Sequence, residues 1–262
     1  FSEPSADPAK PHRSPKDRHL RLPVKKKKKN LPMNSKRIRL WDLPTRLFHW
    51  SLVLCVAAAV ISGQVGGKWI DWHGKIGLAI VGLVAFRLAW GLLGSTYARF
   101  AQFFPTPGRI KAYLSGQWRG EGHNPLGALS VFGLLGVLGV QLLTGLVAND
   151  DIAFRGPLYD LVGNDWSNRL SGLHHLLANV LIALVVLHLA AIAFYGHVKK
   201  KKLLKPMLTG WKDDGEGESA TGGGIVALVV ALLFAAAAVY GASGAWLPEP
   251  PPPPPAAETP SW

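Results

Sequence analysis

Apolar residues in this chain come in long blocks. They do not alternate with polar ones, and they do not recur on one face at helical spacing. Five blocks approach the roughly 20 residues needed to cross the apolar core of a bilayer. They lie near residues 47–66, 75–94, 126–148, 173–195 and 224–242, separated by short polar and basic segments. Such a pattern predicts an all-α, integral membrane helix bundle of five spans, since a helix satisfies its backbone polar groups within its own segment. The glycines inside these blocks are compatible with that reading, because membrane helices use small residues for close packing.

Charge gives the bundle a direction. Lys36, Arg37, Arg39 and Arg46 precede the first span, Arg99, Arg109, Lys111 and Arg119 join the second to the third, and Lys199–Lys202 follow the fourth. All three segments fall on one side of the membrane. The other side carries Asp150, Asp151, Asp160 and Asp165 against Arg155 and Arg169. The positive-inside rule then predicts a cytoplasmic N-terminus and a periplasmic C-terminus in a bacterial inner membrane. The net charge of +13 does not point to nucleic acid, because the cations flank apolar spans instead of lining a folded face. Cys55 is the sole cysteine, which excludes an internal disulfide, and no CxxCH motif for covalent haem is present.

These features divide the chain into a basic disordered cytoplasmic arm (1–35), a four-span domain (36–212), a linker (213–223), a fifth span (224–243) and a proline-rich periplasmic tail (244–262). The arm has no apolar region followed by a cleavage site and is not read as a signal peptide. The chain opens on Phe1, and Met33 precedes the first organised segment, so the sequence leaves open whether residues 1–32 are native.

The fourth span, LHHLLANVLIALVVLHLAAIAFY, poses the chemical question. It is built for lipid yet holds His174, His175 and His188. An ionisable side chain inside a span is a functional-site hypothesis by default. At about 100° and 1.5 Å per residue, His174 and His188 share one helical face and stand roughly 21 Å apart in depth. His175 fits that face less well and remains a rival for the outer position. Each ring needs a partner at its own depth. His49 opens the first span at the cytoplasmic side and matches His188. His73 opens the second at the outer side and matches His174. Two imidazole pairs at two depths suit two bis-histidine b-type haems, His49 with His188 and His73 with His174, set between apolar helix walls. A zinc site would need its ligands together. A proton relay would use carboxylates, and the five spans contain none.

Haem propionates are anionic. Arg87 lies 14 residues after His73, on the same helical face and near the inner level, and is a candidate propionate clamp, with snorkelling to the interface as the rival role. Arg46 and Lys75 are candidates of the same kind. Gly63, Gly77 and Gly82 would let a flat ring approach the first two helices, or serve helix packing. His12, His19, His123 and His197 look less special.

The segments RLWDLPTRLFHW, WHGKIGLAI with FRLAWG, GHNPLGALS with LLTGLVANDD, the HH…H of the fourth span and MLTGWK together resemble the bacterial di-haem cytochrome b family, which includes the cytochrome b subunits of nickel-iron hydrogenases. The resemblance runs from about Lys36 to Lys212. It implies a four-helix haem-binding core with one ligand each from the first two helices and two from the fourth, which by motif are His49, His73, His174 and His188. It also implies electron transfer between the quinone pool and a periplasmic partner, either a c-type cytochrome or a hydrogenase or dehydrogenase subunit. The alternative is a haem-containing membrane anchor without quinone chemistry of its own. The acidic outer loop could steer a basic cytochrome, and a quinone contact is placed near Arg109 and His123. The fifth span and the proline tail lie outside the family pattern.

Overall fold

The computed structural model describes Phe1, residues 36–152 and residues 154–248. The arm at 2–35 and the tail at 249–262 lie outside the described residues. The chain divides into Phe1–Asn34 and Ser35–Trp262, and the architecture below belongs to the second unit.

In order, the elements are β1 (Lys36–Arg39), α1 (Leu43–Val65), α2 (Ile70–Leu93), the short α3 (Phe100–Phe103), α4 (Pro107–Leu114), α5 (Pro125–Leu146), α6 (Gly163–His197), α7 (Leu204–Thr209), β2 (Trp211–Gly215) and α8 (Ile225–Ala242). Five helices (α1, α2, α5, α6 and α8) are long and apolar enough to cross a membrane, so the molecule is an all-α membrane bundle with one small two-stranded sheet. The cation-rich segments gather at one end, where α1 and α5 begin, where α2 and α6 finish, and where α8 begins.

Local chemistry sets several helix starts. Asp42 caps α1 by accepting from the Thr45 amide at 2.7 Å, and Asn124 caps α5 by accepting from Gly127 at 2.8 Å. Each cap is followed by proline in the first turn, whose missing N–H costs nothing there. The helix α6 is longer than its apolar stretch, beginning at Gly163 instead of near 173. Hydropathy reports only the part suited to lipid. The polar first turns are helical because they dock on the loop after α5. Ser167, wholly buried, donates to the Val147 carbonyl at 2.7 Å, and the Asn149 amide reaches Ser167 at 2.5 Å and Asn168 at 2.8 Å.

The helices α1 and α2 pack as one antiparallel hairpin, and α5 and α6 as another; α2 bridges them through α5 and also carries α8. Backbone contact between α1 and α6 is sparse. The fifth helix is part of the packed body. Ala231 is wholly buried in a cluster with Phe48, Phe86, Ala89, Trp90 and Ala98. A Cβ added at Gly82 would come within 2.9 Å of Val239, so this glycine serves the α2–α8 approach.

At the cation-rich end a polar cap holds the segments together. β1 pairs antiparallel with β2 over a buried Ile38. Gly210, at φ +86°, turns its carbonyl to accept from both Leu40 (2.8 Å) and Trp41 (3.1 Å). The segment read as a linker, 213–223, is threaded into this cap: Ala220 donates to the Arg39 carbonyl, and Gly222 forms a bridge with Ser95. Its glycines and charges hide this from a pattern search, because the bonds are made by backbone.

Glu121 ties the cap together, accepting from Lys212 at 2.5 Å and from the Glu216 amide at 2.9 Å. Burial opposes the ionised form, but these hydrogen bonds outweigh it and hold the carboxyl below its ordinary value. A lowered folded pKa gives stability that is complete above the unfolded value (about 4.3) and is lost as pH falls through the folded one. Protection of the Gly215–Gly217 amides against hydrogen exchange, taken relative to the intrinsic rate at each pH, is therefore expected to fall on acidification below that range. In Glu121→Gln that protection should be low already at neutral pH and nearly independent of pH.

Candidate functional site

The four sequence-selected histidines sit at two levels of the bundle. At the end opposite the cations, His73 on α2 and His174 on α6 face each other with ring centroids 6.0 Å apart and planes at 86°. His73 Nδ1 lies 2.9 Å from the Ala59 carbonyl, and His174 Nδ1 lies 3.0 Å from the Gln141 carbonyl. A carbonyl only accepts, so each Nδ1 carries the proton and each Nε2 keeps its lone pair. The Thr144 hydroxyl is also 3.2 Å from His174 Nδ1. The Gln141 amide donates to His174 Nε2 at 3.1 Å, while its own oxygen is buried without a partner. His175 lies beside His174, at 6.3 Å between centroids, on the exposed side of α6. His174, and not His175, is the ring turned toward His73.

Two glycines make this arrangement fit. A Cβ at Gly63 would stand 3.1 Å from the His73 ring, and one at Gly145 only 2.8 Å from the His174 ring. Gly63 was selected from sequence, whereas Gly145 was not: it sits in the α5 motif LLTGLV, where nothing local marks it. Gly77, one turn beyond His73, has no atom within 4 Å of where its Cβ would be.

At the cation-rich end, His49 on α1 and His188 on α6 lie close enough to repel when protonated. His188 Nδ1 is 3.4 Å from the Ser130 hydroxyl, a weak contact. His123, not selected as a haem ligand but read from sequence as near a quinone contact, joins this level. It is clasped between Trp41 (4.7 Å) and Phe103 (4.5 Å), with its Nδ1 buried and unpartnered among the described residues. Burial, then the positive potential of Arg87, His49 and His188, pushes it down to about 3, so it is neutral at physiological pH.

The candidate cations separate clearly. Arg87 is 3% exposed, with its guanidinium 4.4 Å from the Phe100 ring centroid, and its NH1 is buried without a partner among the described residues. Arg46 donates to the Leu208 carbonyl at 2.5 Å and has a buried, unpartnered Nε. Arg99, not selected from sequence, has the same unpartnered Nε. Lys75 is exposed, 4.9 Å from the Trp72 ring centroid.

These residues fit haem. The outer donor set is two facing imidazoles whose Nδ1 protons are held by carbonyls, and glycines remove the side chains that would crowd them. Buried guanidinium nitrogens of Arg87, Arg46 and Arg99 without acceptors among the described residues are open to an anion. Among the described residues no three His, Cys, Asp or Glu side chains converge as a tetrahedral metal site would require.

Comparison with known proteins agrees with this chemistry. Residues 40–210 match the family described as prokaryotic cytochrome b561. The probable Ni/Fe-hydrogenase 1 B-type cytochrome subunit of Escherichia coli (strain K12) is 23% identical over 137 residues, which cover 40% of this chain and 57% of that protein. The probable Ni/Fe-hydrogenase B-type cytochrome subunit of Azotobacter chroococcum mcd 1 is 23% identical over 225 residues, 68% of this chain and 90% of that one. Its counterpart in Azotobacter vinelandii is 24% identical over 220 residues, again 68% and 90%. The chain thus spans little more than half the length of its Escherichia coli relative but nearly all of the Azotobacter ones. With five membrane-length helices among the described residues and a family match over residues 40–210, the chain belongs to the prokaryotic cytochrome b561 family: it is a multi-pass membrane b-type cytochrome.

Proposed function

We propose that the chain holds two haem b groups, one between His49 and His188 and one between His73 and His174, and passes electrons across the bacterial inner membrane between the quinone pool and a periplasmic redox partner. The observation that carries this reading is the meeting of His73 and His174, with ring centroids 6.0 Å apart, while His188 lies on the same α6 face roughly 21 Å away, near His49.

When bound, haem supplies reversible one-electron transfer. The protein's own groups set up the rest. The Ala59 and Gln141 carbonyls hold the His73 and His174 rings and their tautomers, which leaves each Nε2 a lone pair; that of His174 accepts from the Gln141 amide in this structure. Ser130 is the corresponding group for His188. Arg87 and Arg46 supply positive charge for the inner propionates, with Arg99 as a further donor, and Lys75 is the cation next to the outer pair in sequence. Leu, Val and Ile walls exclude water from both levels.

Positive-inside asymmetry puts His49 and His188 on the cytoplasmic side and both His73 and His174 toward the periplasm. A cavity of about 230 Å³ beside the inner level, lined by Tyr97, Arg109, Trp118 and His123 among others, is the candidate quinone contact. There the neutral His123 offers a hydrogen bond without a competing charge. The names of the relatives favour a hydrogenase as the periplasmic partner. They equally support a second reading, a haem-containing anchor subunit with no quinone chemistry of its own.

Optical redox titration of the purified protein separates the outcomes. Two b-type potentials, with haem reduced on adding a quinol, are the expected result. One potential would refute the pairing of one level. Two potentials with no reduction by quinol would establish the anchor reading instead.

A further inference from the structure

The outward face of α6 carries a seven-residue repeat that lipid contact does not require. Gly172, Leu176, Asn179, Ala183, Val186, Ala190, Ala193 and His197 follow one another at alternating spacings of four and three, and all eight are exposed. This is the spacing of a coiled-coil seam. A ridge of Leu173, Val180, Leu187 and Phe194, also at intervals of seven, runs beside it. Gly172, Ala183, Ala190 and Ala193, flanked by bulkier side chains, let another helix approach closely.

Asn179 shows that lipid is not the occupant. It is nine residues from His188, about 180° around the helix, so it points away from the haem slot. It lies roughly 7.5 Å deeper than His174 along the axis, inside the apolar stretch. Its side chain makes no hydrogen bond to any described residue, and it is exposed. Acyl chains offer a carboxamide nothing. An exposed amide in hydrocarbon calls for a donor and an acceptor at its own depth.

We propose that this face of α6 is the contact surface for a second copy of the same chain, packed in parallel about a two-fold axis normal to the membrane. Such symmetry brings each Asn179 to its counterpart at identical depth, where donor and acceptor of the two amides satisfy each other. A single asparagine in a seam otherwise apolar from Gly172 to Ala193 also fixes register and the number of strands. An unrelated partner helix would have to supply a matching polar group at that level, whereas a second copy does so by construction.

The test is disulfide cross-linking of the full chain in native membranes, in a Cys55→Ser background, with copper phenanthroline as oxidant. Cysteine at Ala183 or Ala190 is expected to give a homodimer at a yield about tenfold above cysteine at Val226, an exposed position on α8 (the contrast between a packed seam and chance collision). Asn179→Leu should cut that yield several-fold and Asn179→Gln should retain it. The haem absorption spectrum should stay unchanged throughout, because the seam faces away from the slot. Equal yields at Ala183, Ala190 and Val226, insensitivity to Asn179→Leu, or cross-linking to a different polypeptide would each overturn the proposal. Loss of the haem spectrum is read separately and bears on the ligand assignment, on which the seam does not depend.

Discussion

Replacing His188 by alanine is expected to leave one haem where the wild type has two, and to abolish electron transfer between the faces of the membrane. The argument is geometric. His188 and His174 share a face of α6 but stand roughly 21 Å apart in depth, and the outer pair is positioned by its own contacts, the carbonyls of Ala59 and Gln141. Removing the inner imidazole therefore strands His49 and leaves His73 and His174 in place. Haem per polypeptide should halve, and the redox titration should lose one component completely. His175→Ala, by contrast, should retain both, because His175 lies on the exposed side of the helix. Retention of two haems in His188→Ala, or loss of one in His175→Ala, would show that the ligands are assigned wrongly.

The largest stability effect is expected at Asp42. This residue is 7% exposed and has three duties. Its Oδ1 caps α1 through the Thr45 amide, its Oδ2 accepts from the indole of Trp90 at 3.0 Å, and its charge attracts the buried Arg87. Trp90 is 1% exposed, so its N–H has no access to water. Asp42→Ala loses the cap, worth about 1 kcal/mol, and strands the indole donor, worth about 1–3 kcal/mol. A loss of about 2–4 kcal/mol follows from those two effects alone. Asp42→Asn keeps one acceptor oxygen, enough for the cap or the indole bond but not for both, and turns an NH2 donor on the remaining N–H, so it should be destabilised too, by less than the alanine variant. Thermal unfolding of the detergent-solubilised protein measures the difference. Equal midpoints for the two variants would mean that the cap and the indole bond contribute little.

The spans were legible because lipid demands a long apolar run and nothing else imitates one. The approach of His73 and His174 was legible because histidines inside such runs obey a helical arithmetic of angle and depth. What escaped were features carried by backbone or by small side chains. Gly145 looks like any membrane glycine until the His174 ring is seen against it. Gly82, read from sequence as a place for a flat ring or for helix packing, serves the packing of α8. His123 sits in a loop, where helical periodicity offers no test. Residues 213–223 read as a linker because their composition is polar and glycine-rich, yet their carbonyls and amides complete the cap. Arg87 was found by its spacing from His73, but its buried, unpartnered NH1 could only be seen in three dimensions.

The strand pair at the cation-rich end orders events in time. Residues 36–39 are made first and must wait for residues 211–215 before they can pair. A chain emerging from the ribosome therefore inserts the α1–α2 and α5–α6 hairpins while the cap above them is still open. The stretch made after α6, through Gly222, draws that cap shut. The cap beside His49, where the Trp50 indole donates to the Met207 carbonyl, therefore closes only after α1, α2, α5 and α6 have been made.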